Sequence, residues 1–328
     1  MNLSTLLKIL NFYVRFTPNY TKIGYFARRL TWGSSAPLDF KGQRWLITGA
    51  NAGLGKAMMH AALNAGAEVT AVARNQERLD AAIAELPAPL AARVTPIIAD
   101  MSLQSETRTL LDTLVASGDT IDVLQNNVGV LLNDHEVTSE GREKSFATNV
   151  LSHFLLTEGL LEHKILAKDA VIVNMSSGGM YNAPLGYKLL NNLDAQSYNG
   201  KVAYAFAKRA QVALTNYWND RHAQDGLRAY VTHPGWAKTP GVKFSLPLFW
   251  KIQNLILRTP LQGADTALWL AATLPAIGDD EAIWFDRKPR PTHMYDHTRT
   301  PQCTEEELVD YLRNELQAGS GDSAAASA

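Results

Sequence analysis

The sequence predicts an α/β protein built on one doubly wound, mainly seven-stranded parallel sheet with helices on both faces. Three observations predict it. Short β-rich apolar runs alternate with helical stretches from residue 42 onward. Most of those runs are too apolar to keep a wet face, as strands buried on both sides are. Strand, helix and strand then recur often enough to require crossovers rather than hairpins. The composition supplies the core, since 46% of the 328 residues are hydrophobic and 19% charged, which excludes a mostly disordered chain. A net charge of −1 leaves no overall field to draw nucleic acid. A single cysteine, Cys303, excludes an internal disulfide framework and any multi-cysteine metal centre. It fits a reducing, cytoplasmic setting.

Taken in order, residues 1–41 form a basic, amphipathic extension ahead of the first strand. Residues 1–44 carry a net +6, leaving −7 for the rest of the chain. The apolar run Leu3–Phe16 is broken by Lys8, Asn11 and Arg15, so nothing here has the roughly 18 apolar residues of a membrane span. Two readings stay open: a helix packed on its own domain, or a segment (residues 1–35) lying on an anionic membrane surface. A mitochondrial presequence is a third, since such segments are also basic and acid-poor.

Strands are expected at Arg44–Thr48, Glu68–Ala73, Arg93–Ala99, Ile121–Gln125, Ala170–Met175, Leu227–His233 and Ala282–Phe285. Helices are expected near Leu54–Ala65, Gln76–Leu86, Leu103–Ser117, Ser139–His163, Val202–Gln224 and Gly263–Thr273. Together these make one domain over residues 42–300, with an apolar segment at 242–261, followed by a C-terminal segment, 301–328. Its end, Ala318–Ala328, is small and polar enough to be disordered. No internal repeat is present.

The first strand runs directly into Thr48-Gly49-Ala50-Asn51-Ala52-Gly53-Leu54-Gly55. Glycines between a strand and a helix let the backbone turn tightly and approach a pyrophosphate at the helix N-terminus. Any tight turn also needs glycine; the strand–turn–helix setting is what makes this a dinucleotide site of Rossmann type. The second strand ends in Ala73, Arg74 and Asn75, with no carboxylate to bind the ribose hydroxyls of NAD. Arg74 would pair with a 2′-phosphate for about 1.5–3 kcal/mol, so NADP is expected over NAD. The alternative for Arg74 is a solvated surface arginine. Asp100, before Met101 at the end of the third strand, would accept from adenine or cap the next helix.

Tyr204 and Lys208 stand four residues apart on one helix face. A free tyrosine titrates near pH 10, too high for proton exchange at neutral pH. A neighbouring ammonium and an oxidised nicotinamide would favour phenolate; bringing that titration down to near pH 7 requires about 4 kcal/mol.

With these residues in place, the chain resembles the short-chain dehydrogenase/reductase family. Thr48–Gly55 looks like its TGxxxGxG turn and Asn126-Asn127-Val128-Gly129 like its NNAG motif, with valine replacing alanine. Asn149 matches the family's active-site asparagine, Ser177 its catalytic serine, Tyr204 and Lys208 its YxxxK pair, and Pro234-Gly235 with Thr239 its nicotinamide-side segment. The matches span about residues 42–290. His233–Val242, Gln262–Thr266, Phe285–Pro289 with Thr292-His293, and Ser176–Met180 are similar to the member 12 branch of the dehydrogenase/reductase SDR group, which is related to retinol dehydrogenase-like enzymes. One departure is that Ser177 and Tyr204 lie 27 positions apart, about twice the spacing in many members, so Tyr181–Gly200 must loop out. Its Pro184, Gly186, Asn191, Asn192 and Gly200 suit a loop.

The resemblance implies an alcohol–carbonyl oxidoreductase in which Tyr204 exchanges the proton, Ser177 holds the substrate oxygen, Lys208 acidifies the tyrosine and Asn149 positions a water. Thr48, Gly49, Asn51, Gly53, Leu54, Gly55, Arg74, Asn75, Asp100, Met101, Asn127, Val128, Gly129, Pro234, Gly235 and Thr239 join Tyr204 and Lys208 at the cofactor. The apolar density of 242–261, where the family places its substrate lid, suggests a retinoid, steroid or other lipid-derived substrate; packing on the sheet or on a second copy in a homo-oligomer is the alternative. A regulatory or scaffold protein that binds dinucleotide without turnover is the competing class. His293, Asp296, His297 and Cys303 are read as a surface loop rather than a metal site, because Pro289, Pro291 and Pro301 prevent one ordered helix. His233 is read as a turn residue.

Overall fold

Alternation along each strand divides the core between two faces of one sheet. On the first strand, β1 (Arg44–Thr48), Trp45 and Ile47 join one buried cluster and Leu46 the other. Val69 and Ala71 on β2 (Glu68–Ala73) follow Trp45, and Val72 follows Leu46. Each fully buried side chain of this size stabilises the fold by about 1.5–3 kcal/mol. The structure, a computed structural model, describes residues 14, 16–33, 37–278 and 282–325, with side chains as far as residue 318. Parts of the predicted extension (1–13, 15 and 34–36), residues 279–281, and 326–328 of the predicted tail lie outside the described residues.

The seven predicted strands are all present: β3 is Val94–Ile98, β4 Ile121–Asn126, β5 Leu166–Met175, β6 Arg228–Thr232 and β7 Ala282–Phe285. They run parallel in the order β3-β2-β1-β4-β5-β6-β7. An eighth, β8 (Lys288–Pro291), pairs antiparallel with β7 where the sequence suggested only a loop. The two-residue connection, Asp286-Arg287, has φ of 51° and 60°, the left-handed pair a tight hairpin needs. Edge position explains how β8 carries prolines 289 and 291, and how β3 carries Pro96.

One face is covered by α1 (Gly53–Asn64) and α2 (Pro260–Thr273), which meet each other over β1 and β5. The other face holds α3 (Gln104–Ser117), α4 (Ser152–Glu162) and α5 (Gly200–His222). Caps set these boundaries. Asn199 accepts from Lys201 and Val202 amides to start α5, Thr259 and Gln262 form a reciprocal capping box with Pro260 first in α2, and Gly118 ends α3 in the left-handed region. The chain's last helix, α6 (Glu305–Ala325), runs into the 318–328 stretch expected to be disordered.

The described part of the N-terminal extension lies on this domain. Residues 16–20 are helical, Thr21 caps the helix Lys22–Arg29, and Phe16, Tyr20 and Tyr25 are buried. The Lys22 amide donates to Ile256 O, and Tyr20 O accepts from the Trp236 amide and from Arg258 Nε. Its anchor is ionic: Arg258 and Arg28 both bind the carboxylate of Asp286, which the β7–β8 hairpin presents from beneath.

Candidate active site

Reversal of strand order between β1 and β4 opens a crevice at the carboxyl ends of the parallel strands, and the glycine turn fills its floor. Thr48 Oγ1 accepts from the Asn127 and Val128 amides, and Asn127 Nδ2 donates to Thr48 O at 2.8 Å. Two of the predicted cofactor residues therefore lock the first turn to the fourth strand. A Cβ on Gly55 would collide with Gly49 O, so the helix can start only where glycine stands. That helix begins at Ala52 with no side-chain cap, leaving its first amides facing the crevice. Thr239 packs its methyl group over Gly53, while its hydroxyl caps the next short helix by accepting from Val242 N.

The second-strand residues divide. Arg74 is exposed and makes no ion pair among the described residues. Asn75 caps the helix Gln76–Ala84 by accepting from the Arg78 amide at 2.8 Å. Asp100 Oδ1 accepts from the Ser102 amide, so one oxygen serves the turn into α3, and Met101 is buried.

Ser177 follows β5 and caps the short turn Gly178–Asn182, and Tyr204 lies in the first turns of α5; a Cβ on Gly179 would lie 3.3 Å from the Tyr204 ring and 3.6 Å from Ser177 Oγ, so both flank this glycine. The 27-residue separation is thus closed in space. The intervening loop folds outward against α6, with Tyr187 stacked on Tyr311 at 4.8 Å and Asn191 donating to Glu315. Asn149 sits in a π-helical turn, Ala147–Leu151, a distortion common at functional sites. Its side chain holds Val130 through both amide and carbonyl and also donates to Ser145. A Cβ on Gly129 would lie 2.7 Å from Asn149 Oδ1 and 3.2 Å from Lys208 Nζ, so this glycine gives both groups room.

Lys208 is 3% exposed and has no carboxylate partner among the described residues; its ammonium donates to Met175 O at 2.9 Å and to Gln211 Oε1 at 3.2 Å. Burial lowers its pKa to about 7. Burial also raises the Tyr204 pKa, with the Ser177 hydrogen bond opposing. The Lys208 ammonium lies 5.5 Å from the Tyr204 ring centre and is held by Met175 O and Gln211 Oε1. Gln211 is the residue that the motifs do not reveal. It accepts from Lys208 and donates to Asn149 O at 2.9 Å and to His153 Nδ1, linking two predicted catalytic residues. Its place three residues after Lys208 on one helix face is the signal that could have found it.

Around the rim, Pro234 and Gly235 follow β6, and the Gly235 amide donates to His233 Nδ1, which makes the histidine part of this turn as expected. The segment 242–261 forms two short helices, Pro240–Ser245 and Pro247–Gln253. It is only partly packed on the domain: Leu257 is buried, while Phe244, Leu248, Ile252 and Leu255 are all 60% or more exposed. Ile23, Phe26 and Leu30 of the N-terminal helix are exposed as well. His293 pairs with Thr298 Oγ1 and His297 stacks on Tyr295, while Cys303 is buried.

The sequence profile of the short chain dehydrogenase family matches residues 43–188. The chain is 35% identical over 309 residues to dehydrogenase/reductase SDR family member 12 of Bos taurus, covering 89% of this chain and 92% of that protein. It is 30% identical over 316 residues to retinol dehydrogenase 14 of Homo sapiens, covering 90% and 88%. Its fold matches a short chain dehydrogenase from Burkholderia cenocepacia J2315 in complex with NADP, with a TM-score of 0.57, 20% identity, and 71% and 91% coverage.

Proposed function

The chain belongs to the short-chain dehydrogenase/reductase family, and on that premise we propose that it is an NADP(H)-dependent oxidoreductase interconverting an apolar alcohol and its carbonyl. The observation that carries this is that Ser177 and Tyr204 meet around Gly179, with the Lys208 ammonium 5.5 Å from the Tyr204 ring, in a fold whose first glycine-turn helix has no side-chain cap. The residues fit a dinucleotide: Gly49 and Gly55 allow close backbone approach, the amides after Ala52 suit a pyrophosphate, and Gly129 leaves open space before Lys208. Arg74 would take a 2′-phosphate, Asp100 and Met101 the adenine side, and Asn127–Gly129, Pro234, Gly235 and Thr239 the nicotinamide side. The cofactor would supply or accept the hydride.

The chain's own groups perform the proton chemistry. Tyr204 Oη gives its proton to the carbonyl oxygen in reduction and takes it back in oxidation, a contribution of about 10²–10⁴-fold. Ser177 Oγ steadies the negative charge growing on that oxygen. Lys208, with a pKa of about 7, exchanges protons near neutrality, and Gln211 fixes it between Met175 O and the Asn149 loop.

In this reading residues 42–300 are the catalytic domain; of the extension 1–41, the described residues 16–33 form a strap across it, and of the C-terminal segment 301–328, the helix from Glu305 supports the long loop. The exposed apolar chains of 244–255, with Lys243 and Lys251, favour a lipid-derived substrate and peripheral contact with an anionic membrane from the cytoplasm. Ile23, Phe26 and Leu30 extend that surface; no described helix is long and apolar enough to cross a membrane.

The test is a coupled absorbance screen with NADPH and NADP over apolar aldehydes, ketones and alcohols, repeated with Tyr204→Phe. Turnover by the parent and a loss of at least about 10²-fold in the variant is expected. Full turnover by the variant refutes the proton assignment. Nucleotide protection against unfolding without any hydride transfer would instead fit a non-catalytic dinucleotide-binding scaffold.

A further inference from the structure

A cavity of about 420 Å³ lies beneath the N-terminal strap, within the roughly 300–1,000 Å³ range of small-molecule sites. Its apolar walls are Phe16, Tyr20, Tyr181, Phe285 and Met294. It abuts the catalytic turn without including it: Tyr20 and His233 pack on the Gly178 side, whereas Tyr204 packs on Gly179 and Ser177. Two features of the lining have no use in hydride transfer.

The first is charge. Arg28 and Arg258 share the one carboxylate of Asp286, and Arg258 and Asp286 are each only 1% exposed. Arg290, which lines the same cavity, has no carboxylate partner among the described residues, and none of the described residues lining the cavity is acidic. Asp286 already serves Arg28 and Arg258, so the partly exposed Arg290 is the lining cation left for an incoming anion to meet.

The second is an unmatched donor. His233 is 2% exposed, stacks on Phe285 at 4.1 Å, and accepts the Gly235 amide at Nδ1. Its proton therefore sits on Nε2, for which no acceptor occurs among the described residues. Burial, with Arg258 and Arg28 nearby, keeps the ring neutral by lowering its pKa to about 3.

We propose that this cavity is a second ligand site, separate from the cleft over Tyr204, which takes an apolar molecule ending in a carboxylate. The aromatic walls receive the hydrocarbon body; Arg290 and the His233 Nε2–H receive the carboxylate.

Calorimetric titration of the full chain without nucleotide tests this, using decanoate, decanol and decyltrimethylammonium below their micellar concentrations. Decanoate is expected to bind one site at least tenfold more tightly than decanol, and the cation not at all. Arg290→Gln, on a half-exposed edge-strand side chain with no ion pair to lose, should weaken decanoate at least tenfold and leave decanol unchanged. Repeating the titration with Tyr204→Phe should give the parent affinities, which separates this site from the hydride-transfer reading. Equal binding of decanoate and decanol, or decanoate affinity untouched by Arg290→Gln, overturns the proposal; the latter would mark simple partitioning onto the exposed apolar surface.

Discussion

Replacing Lys208 by methionine isolates a charge that the fold holds at considerable cost. The side chain is 3% exposed and faces a main-chain carbonyl and a carboxamide, with no anion to offset desolvation. Burial takes its pKa from 10.5 to about 7 in the folded chain. Unfolded chains keep the ordinary value, so between about pH 7 and 10.5 the unfolded state binds the extra proton. Stability therefore rises with pH across that window, and below pH 7 the full penalty applies. The gap of roughly 3.5 between the two values corresponds to about 5 kcal/mol, or at most about 1.4 kcal/mol per pH unit. Urea unfolding of parent and Lys208→Met at pH 7.5, 8.5 and 9.5 reads this directly, because subtraction cancels every other titrating group. The parent should gain on the variant by about 1 kcal/mol per pH unit. Working below pH 9.5 avoids Tyr25, Tyr181 and Tyr230, which burial pushes up to about 12. A difference that stays flat across the three pH values would refute the reasoning, showing that the ammonium is solvated or paired in the native state.

Other perturbations follow from the same geometry. Asp286→Asn leaves Arg258 buried without its carboxylate and should cost about 3–5 kcal/mol in chemical denaturation. It should also free the strap, read as faster tryptic cleavage near Arg29. Burial pushes the Asp286 carboxyl up, but Arg258 and Arg28 outweigh it and hold the pKa below its usual value. Its stabilisation should therefore be present above pH 4 and vanish as acid protonates it; equal acid sensitivity in parent and Asp286→Asn would contradict this. Arg74→Ala should raise the KM for NADPH about 10–150-fold while leaving NADH unchanged, as loss of one charge-assisted contact predicts. Gly129→Ala drives a methyl group toward Asn149 Oδ1 and Lys208 Nζ and should lower kcat more than it changes melting temperature.

The parts legible in the sequence are local. Strand and helix positions follow from hydrophobic period and from glycine, asparagine and proline at their ends, which is why Arg44–Thr48, Glu68–Ala73 and Ala282–Phe285 match residue for residue. Tyr204 and Lys208 share a helix face because they are four apart, and the glycine turn is legible because its spacing falls between a strand and a helix. Tertiary structure decided what depends on distant partners. Gln211 has meaning only once Asn149 O and His153 are beside it, and Lys208 has a lowered pKa only because the assembled core excludes water from it. Arg28 and Asp286 meet across 258 positions of chain, and that meeting, not the amphipathic pattern of the extension, lays Tyr20 against the catalytic turn. Periodicity and spacing encode which residues share a surface within one element; desolvation and ion pairing are set by which elements pack together, and no single segment of the chain carries that information.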